Sequence, residues 1–395
     1  MSDWKDLLVL GTSFLVSYLL LTRLLRRRNE HYMSSLAQRY VNNLHSIPYK
    51  TAHTITKCLL SYEFPFMIGF STQWALIKSY GVPSGTQLLV DTRQLSSTKN
   101  VGKRAEETGL ILGEILLNGV DSERGSTALA KMNWLHRRYG AKILNRDMIS
   151  TLCLFVLEPI HWIEKYEWRP MTDIEKTAFF VYWREIGSRM GIEGMPETLD
   201  ELEVWNENFL SEHVYYADSN KKVADATLDL YSRDLPAFLR PVLRDMASAF
   251  LDERTRVALG WKSPHWIYPI VVHLFFKFRA FAIQHFFLPR FVPAVELPKP
   301  SADGRLYRKQ YNFEPWYMPE TVWTKLKRKL GLSSSPLPGP EFKSTGYLPE
   351  ELGPLGYEKM SKDDVLSEAE QMRDYGKAGG SLGMGCPFRF DGKRM

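Results

Sequence analysis

The chain has 395 residues, of which 44% are hydrophobic and 13% aromatic, a composition that supports a sizeable core and is unlike that of disordered proteins. The net charge of +6 is modest, and much of it comes from one N-terminal cluster, so a nucleic-acid-binding surface is not indicated. Cys58, Cys153 and Cys386 lie far apart and form neither a CxxC pair nor a disulfide framework, which is typical of a reducing compartment.

An apolar segment comes first. Residues 7–22 carry no charge, and Leu24 and Leu25 extend the run to the arginines at 26–28. The length is near the lower limit for a membrane-spanning helix. A cleaved signal peptide is the alternative, but the first six residues are not basic and no small-residue cleavage site follows. We therefore predict an uncleaved single-pass anchor in the endoplasmic reticulum, with the folded part in the cytosol, because the basic cluster follows the helix.

The rest of the chain shows helical periodicity and contains no alternating segment long enough for a sheet, which predicts an all-α fold. A helical connector is expected up to residue 60, interrupted near Pro48, and two consecutive helices are expected over 101–140. Further helices are predicted over Met148–Trp168 after an N-cap at Asn145, from a capping box at Thr172 and Glu175 to Ile192, over 197–216, over 220–234 and over Pro236–Gly260.

Polar side chains are set into the apolar faces of the two helices within 101–140. On the first helix, Arg104 and Thr108 are four residues apart and share one face, which Ile111 and Ile115 continue. On the second helix a stripe at helical spacing contains Leu129, Met132, His136 and Tyr139. Burying a guanidinium, a hydroxyl and an imidazole is costly without partners, so this stretch is the strongest sequence indication of chemistry.

A second apolar block covers residues 265–289 and is interrupted by Lys277, Arg279 and three histidines. These charges make it a poor membrane-spanning helix, and we predict a buried core helix. A segment that dips into the bilayer is the alternative. After residue 290, proline, glycine and charged residues dominate, which predicts an extended tail packed on the domain.

These patterns predict four parts of the chain. They are an anchor with its basic flank over 1–28, a helical connector over 29–60, a helical catalytic domain over 61–290 and a C-terminal tail over 291–395.

Several segments resemble the mpaB family of fungal ER-bound oxygenases, which share a catalytic domain with bacterial rubber oxygenases, also called latex-clearing proteins. The main segment runs from NWLHRRYG to SRMGI, over residues 133–192. The likeness extends to KRAEETGLILGEI before it and to RTRVALGW, GYLPEELGP and GCPF after it.

This resemblance implies a fold and an activity. Rubber oxygenases are all-helical, globin-like haem b proteins that cleave polyisoprene double bonds with dioxygen, and mpaB-type members act on a prenyl chain of a natural product at the ER membrane. His136 is similar to their proximal haem ligand. Arg104 and Thr108 match in type and spacing a pair that lines their distal pocket. The implied partners are a lipophilic prenylated molecule, dioxygen and membrane lipid, and not nucleic acid.

The chain departs from the rubber oxygenases at three positions. Glu107 stands where they have a distal lysine, and Gly140 where they have an arginine. Their acidic residue, the probable base, falls at Leu88 here, with Asp91 nearby.

Each candidate residue also has a purely structural interpretation. His136 could be a hydrogen-bonded core histidine, and Arg104 could pair with Glu107 or Thr108 along the helix. Thr108 could donate to the carbonyl of Arg104. Two other functions remain open, namely a non-catalytic membrane-anchored lipid-binding or scaffold protein and a haem hydroxylase. A di-metal site at Glu158, His161 and Glu164 is disfavoured because the second ExxH helix is absent.

Overall fold

The computed structural model describes residues 3–40, 43–97, 100–332, 336–358 and 360–379. The GCPF segment of the sequence resemblance lies outside them. This part of the chain is helical and contains no strand, so the predicted all-α class is confirmed. The α-helices are α1 Asp3–Gln38, α2 Tyr49–Cys58, α3 Pro65–Ser79, α4 Pro83–Thr92, α5 Val101–Gly113, α6 Glu123–Arg137, α7 Asn145–Tyr166, α8 Asp173–Arg189, α9 Leu199–His213, α10 Asp218–Ser232, α11 Arg240–Ala249, α12 Glu253–Ala258, α13 Ile267–Phe286, α14 Val322–Leu330 and α15 Lys362–Lys377.

Two π-helical segments, Leu59–Glu63 and Glu114–Asn118, extend α2 and α5. A π turn bonds each residue to the fifth one along, so it changes which side chains share a face with the preceding helix. The described residues also form six 3₁₀ turns, which are Leu44–Ser46, Gly140–Lys142, Ala237–Leu239, Pro340–Phe342, Pro349–Glu351 and Leu355–Tyr357.

The single helix predicted over Pro236–Gly260 is wrong, because the structure divides it into a 3₁₀ turn, α11 and α12. Pro241 lies in the first turn of α11, where its missing N–H costs nothing. Asp252 starts α12 by accepting the backbone N–H of Thr255 at 2.9 Å. Local capping therefore stops the helix that periodicity alone would continue.

One compact unit consists of Met1–Gln73, Val156–Tyr182 and Trp266–Val295. It holds α1, α2 and α13 with parts of α3, α7 and α8. The ring of Phe276 on α13 is its aromatic centre, with neighbouring rings at Phe66, Phe70, Trp162 and Tyr166.

Two helices of this unit are long and apolar enough to cross a membrane, namely α1 over Asp6–Arg27 and α13. The hydroxyl of Tyr18 on α1 donates to the carbonyl of Phe286 at 2.9 Å, and Arg26 donates to that of Phe287 at 2.7 Å. The predicted N-terminal apolar helix is therefore present, and it contacts the end of α13.

The prediction that residues 265–289 form a buried core helix is wrong. Only 17% of the apolar window of α13 is buried. High hydropathy is common to helices buried in a protein core and to helices in contact with lipid, so hydropathy alone does not distinguish them.

The other unit consists of Trp74–Phe155, Trp183–His265 and Glu296–Met395. The sequence predicted an extended C-terminal tail, but this segment contains two helices, α14 and α15. The second of them, α15, packs on α6. The boundaries expected near residues 28, 60 and 290 remain predictions, because both units are assembled from separate stretches of chain.

In this second unit the C-terminal segment supplies partners for buried carboxylates of α5. Glu106 is fully buried, pairs with Arg308 and accepts three backbone N–H groups. Those donors are Asn312 at 2.8 Å, Phe313 at 2.6 Å and Glu314 at 3.2 Å. Burial of a charge is tolerated when it is paired and hydrogen-bonded, as it is here.

Candidate active site

The second unit contains a cavity of about 350 Å³, a size within the range of small-molecule and cofactor sites. Residues from α3 to α8 and from α10 form its wall. Most of the lining is apolar and includes Leu89, Ile111, Met132, Phe155, Trp183 and Met190. A cavity with this lining suits a lipophilic ligand.

The structure brings all three predicted site residues to this one cavity. Arg104 and Thr108 line it from α5, and His136 lines it from α6. Ile111 also lines it as predicted, but Ile115 does not, and the prediction for Ile115 is wrong. Ile115 falls in the π segment after α5, where the change of hydrogen-bond register turns its side chain into the core.

The hydroxyl of Thr108 donates to the carbonyl of Arg104 at 2.8 Å, which is the structural interpretation expected for it. A hydroxyl that donates once still has lone pairs for a second partner. Arg104 does not pair with Glu107, because Glu107 binds Lys103 at 2.5 Å and the hydroxyl of Tyr317 at 2.6 Å. Within the described ranges no carboxylate pairs with Arg104, so its guanidinium is available to a ligand.

The positions at which the sequence departs from the rubber oxygenases differ in their location relative to the cavity. Glu107 lies on the face of α5 that is buried under the C-terminal segment, so it does not replace the distal lysine in the cavity. Leu88 lines the cavity, whereas Asp91 is exposed and accepts a hydrogen bond from Gln87 at 2.9 Å. Gly140 has φ 51°, a left-handed conformation that favours glycine.

His136 has the electrostatic character of a metal-binding imidazole. Burial, together with the positive charges of Arg104 and Arg137, lowers its pKa to about 4. The ring is therefore neutral at physiological pH, which is the form that binds iron. Its Nδ1 atom is buried and, among the described residues, has no hydrogen-bond partner. A hydrogen-bonded core histidine would have this nitrogen satisfied.

The lowered pKa predicts a pH-dependent stability of the ligand-free protein. Between pH 6.5, the ordinary value, and pH 4, the unfolded chain binds a proton at His136 that the folded chain does not. The contribution of His136 to the free energy of unfolding is therefore fully present above pH 6.5. It is lost as the pH falls through this window, by about 3 kcal/mol in all. Urea midpoints at roughly pH 7.5 and 5 measure the effect. The variant His136→Leu should lose this part of the pH dependence, and an unchanged dependence would contradict the burial of the ring.

The cavity also contains polar residues that the sequence did not single out, among them two tyrosines and an aspartate. Tyr80 and Tyr231 line the wall, and burial raises the pKa of both phenols, so both remain protonated donors. Asp147 also lines the cavity, and its Oδ2 accepts from the hydroxyl of Ser84 at 2.6 Å. Tyr80 directly follows α3, and Tyr231 and Asp147 lie on α10 and α7. All three are outside the stretch around His136, and no local spacing indicates that they meet there.

The donor set of the cavity fits a haem group. A neutral imidazole can provide the axial nitrogen to iron, and the unpaired guanidinium of Arg104 can bind a propionate. No group of three or more His, Cys, Asp or Glu side chains able to hold a metal ion occurs in the described part of the chain.

Comparison with known proteins relates the chain to a family of oxygenases. The family described as "ER-bound oxygenase mpaB/B'/Rubber oxygenase, catalytic domain" matches residues 96–282, a range that includes Arg104, Thr108 and His136. The chain is similar to the ER-bound oxygenase mpaB' of Penicillium brevicompactum, with 28% identity over 94% of this chain and 93% of that protein.

Two further relatives bear the name ER-bound oxygenase mpaB. The protein of Penicillium roqueforti (strain FM164) is 31% identical over 53% of this chain and 74% of its own length. The protein of Penicillium brevicompactum is 28% identical over 82% of this chain and 80% of its own length. The chain therefore belongs to the mpaB family of ER-bound oxygenases and is an oxidoreductase of the oxygenase type.

Proposed function

We propose that this protein is a haem-dependent oxygenase that cleaves a double bond in the prenyl chain of a lipophilic secondary-metabolite intermediate. Its catalytic part is a globin-like helical bundle in the cytosol, and α1 anchors it in the ER membrane. The observation that supports the proposal best is the meeting of His136, Arg104 and Thr108 on one largely apolar cavity.

His136 would hold the haem iron, and Arg104 would pair with a propionate or with negative charge that develops on oxygen. When bound, haem b supplies the iron that activates dioxygen. The overall reaction is balanced without an external reductant, because each alkene carbon receives one oxygen atom of dioxygen and both become carbonyl carbons.

The chain's own residues orient and protect the reactants. The apolar wall, with Met132, Phe155 and Trp183, holds the prenyl chain and excludes water. The hydroxyl of Thr108 accepts or relays a proton from its fixed position over the carbonyl of Arg104. Membrane attachment is advantageous because such a substrate partitions into lipid.

The variant Arg104→Leu should lose about a hundredfold in kcat while it keeps the haem, because it removes a charged donor from the reacting centre. Steady-state kinetics and the absorption spectrum of one preparation measure both quantities. Arg138→Leu is the control, since Arg138 stacks on Trp134 and Tyr357 and does not line the cavity. Equal activity of the two variants would contradict the role given to Arg104.

The proposed function is tested by the visible spectrum of the detergent-solubilised protein and by product analysis with ¹⁸O₂. A Soret band, present as purified or after addition of haemin, and one label on each of two carbonyl products are expected. No Soret band under either condition would refute haem dependence and leave a lipid-binding or scaffold role. A single label in an alcohol product would indicate hydroxylation instead.

A further inference from the structure

The outer side of α13 is an unusually large exposed apolar surface. Phe278 is 71% exposed, and the apolar surface continues beyond the helix to Val292, which is 72% exposed. Its other large members are Trp266, Ile267, Ile270, Val271, Leu274, Phe275, Phe281, Phe286, Phe287, Leu288, Phe291 and Val295. We call this set the α13 surface. Single exposed apolar residues are ordinary, but a contiguous set of this size marks an interaction site.

The inner side of α13 is fixed to the protein. Val272, Phe276 and Ala280 are four residues apart and buried, so they form one stripe along the helix. Phe276 packs against Phe70 and Trp162, at ring distances of 5.4 and 5.8 Å. One stripe of α13 is therefore covered by the protein, which excludes a helix surrounded by lipid on all sides.

The charged groups of α13 agree with a position at the edge of a membrane. Arg279 is directed to Glu167, with a 2.9 Å ion pair, and its charge is thereby neutralised within the protein. Lys277 is exposed and has a long aliphatic stem, which can reach the headgroup layer while its methylenes stay among apolar neighbours. Neither charge has to enter the hydrocarbon interior.

The α13 surface is continuous with the N-terminal apolar helix. Arg26, at the end of the apolar window of α1, donates to the carbonyl of Phe287 at 2.7 Å, and Tyr18 donates to that of Phe286. A bilayer that holds α1 therefore reaches the end of α13 as well. This contact identifies lipid, and not a second protein, as the occupant of the surface.

We propose that α13 is a second membrane element, which lies along the bilayer surface with its exposed face among the acyl chains. The protein is then docked on the membrane as well as tethered to it by α1. The proposal does not depend on haem or on the oxygenase reaction.

Fluorescent labelling of the full-length protein in phosphatidylcholine–phosphatidylserine liposomes tests this proposal. A single cysteine at Phe278→Cys carries an environment-sensitive nitrobenzoxadiazole label, in a chain whose native cysteines are replaced. The control is Val204→Cys, which is 64% exposed on the acidic helix α9. Both positions are exposed, so neither substitution disturbs the core.

We expect the label at 278 to emit at shorter wavelength, to lose most of its emission to nitroxide-bearing lipids and to resist iodide. The label at 204 should show the reverse. Quenching by iodide at 278 as strong as at 204 would overturn the proposal. A blue-shifted label at 278 that lipid nitroxides do not quench would also overturn it, because it would indicate that a second copy of the chain covers the surface.

Labels at Val271 and Phe286 separate a helix lying on the bilayer from one crossing it. A lying helix gives both labels the same depth in a series of nitroxides placed along the acyl chain. A crossing helix separates them by roughly 20 Å, from a rise of about 1.5 Å per residue. Different depths would refute the proposed orientation.

Discussion

Replacement of His136 by alanine should abolish the Soret band of the detergent-solubilised protein and its oxygenase activity together. The imidazole is the only nitrogen ligand that the sequence resemblance assigns to iron, and its neutral ring lines the cavity. Without this ligand, haem would keep only the contacts with the apolar wall and with Arg104 that the proposed function assigns to it. The haem-to-protein ratio, measured as the pyridine haemochrome, gives the result directly.

The matched control for this experiment is His213→Ala. His213 is a half-buried histidine on α9 whose ring packs on Phe209 at 4.7 Å and does not line the cavity. It should keep the band. The variant His136→Gln preserves volume and polarity, and circular dichroism establishes that both variants are folded. If a folded His136 variant keeps its haem and its Soret band, the ligand is misassigned.

The variant Glu106→Ala should be strongly destabilising, with a loss of roughly 3–5 kcal/mol in the free energy of unfolding. It leaves three backbone N–H groups and the guanidinium of Arg308 without their acceptor inside the protein. Unsatisfied buried donors lose their solvation without compensation. Urea denaturation in detergent, followed by tryptophan fluorescence, measures the effect.

Two further variants make this result interpretable. Glu106→Gln keeps an oxygen acceptor for the amides but loses the ion pair with Arg308, so it should fall between wild type and alanine. Glu370→Ala removes an exposed carboxylate from α15 and should change stability by less than about 0.5 kcal/mol. If the Glu106→Ala variant were as stable as the Glu370→Ala variant, the buried network would contribute nothing to the free energy of unfolding.

The sequence predicts those cavity residues that follow one another at helical spacing along a single stretch of chain. The predicted stripe follows 3.6-residue periodicity, and three of its members, Met132, His136 and Tyr139, line the cavity. The fourth, Leu129, is buried in the core and does not line it. The same reasoning failed at Ile115, because a π turn changes the register and leaves no sequence signature. Local pattern therefore predicts a face only as far as the helix remains regular.

Long-range contacts could not be predicted. Glu106 and Glu107 look like ordinary surface carboxylates of an amphipathic helix, yet both are buried by partners more than 200 residues away. Tyr80, Tyr231 and Asp147 reach the cavity from three other parts of the chain, for which no spacing rule exists. A single sequence contains the residue types but not the pairing that brings them together.

The apolar block at 265–289 shows a different limit. Its charges argued for a core helix, but Arg279 is neutralised by Glu167 on the inner side. The charge that appeared to oppose lipid contact thus belongs to the protein-facing side of α13. Composition averages the two sides of a helix, and only the structure separates them.

The amides that hold Glu106 lie 206 to 208 residues further along the chain. During translation α5 therefore leaves the ribosome long before its partners are synthesised, and its carboxylates remain in water until then. The network that holds Glu106 is completed only when nearly four-fifths of the polypeptide has been made, about residue 314 of 395. A ribosome that stalls earlier releases an open chain with exposed helix faces, which is a substrate for chaperones and proteases.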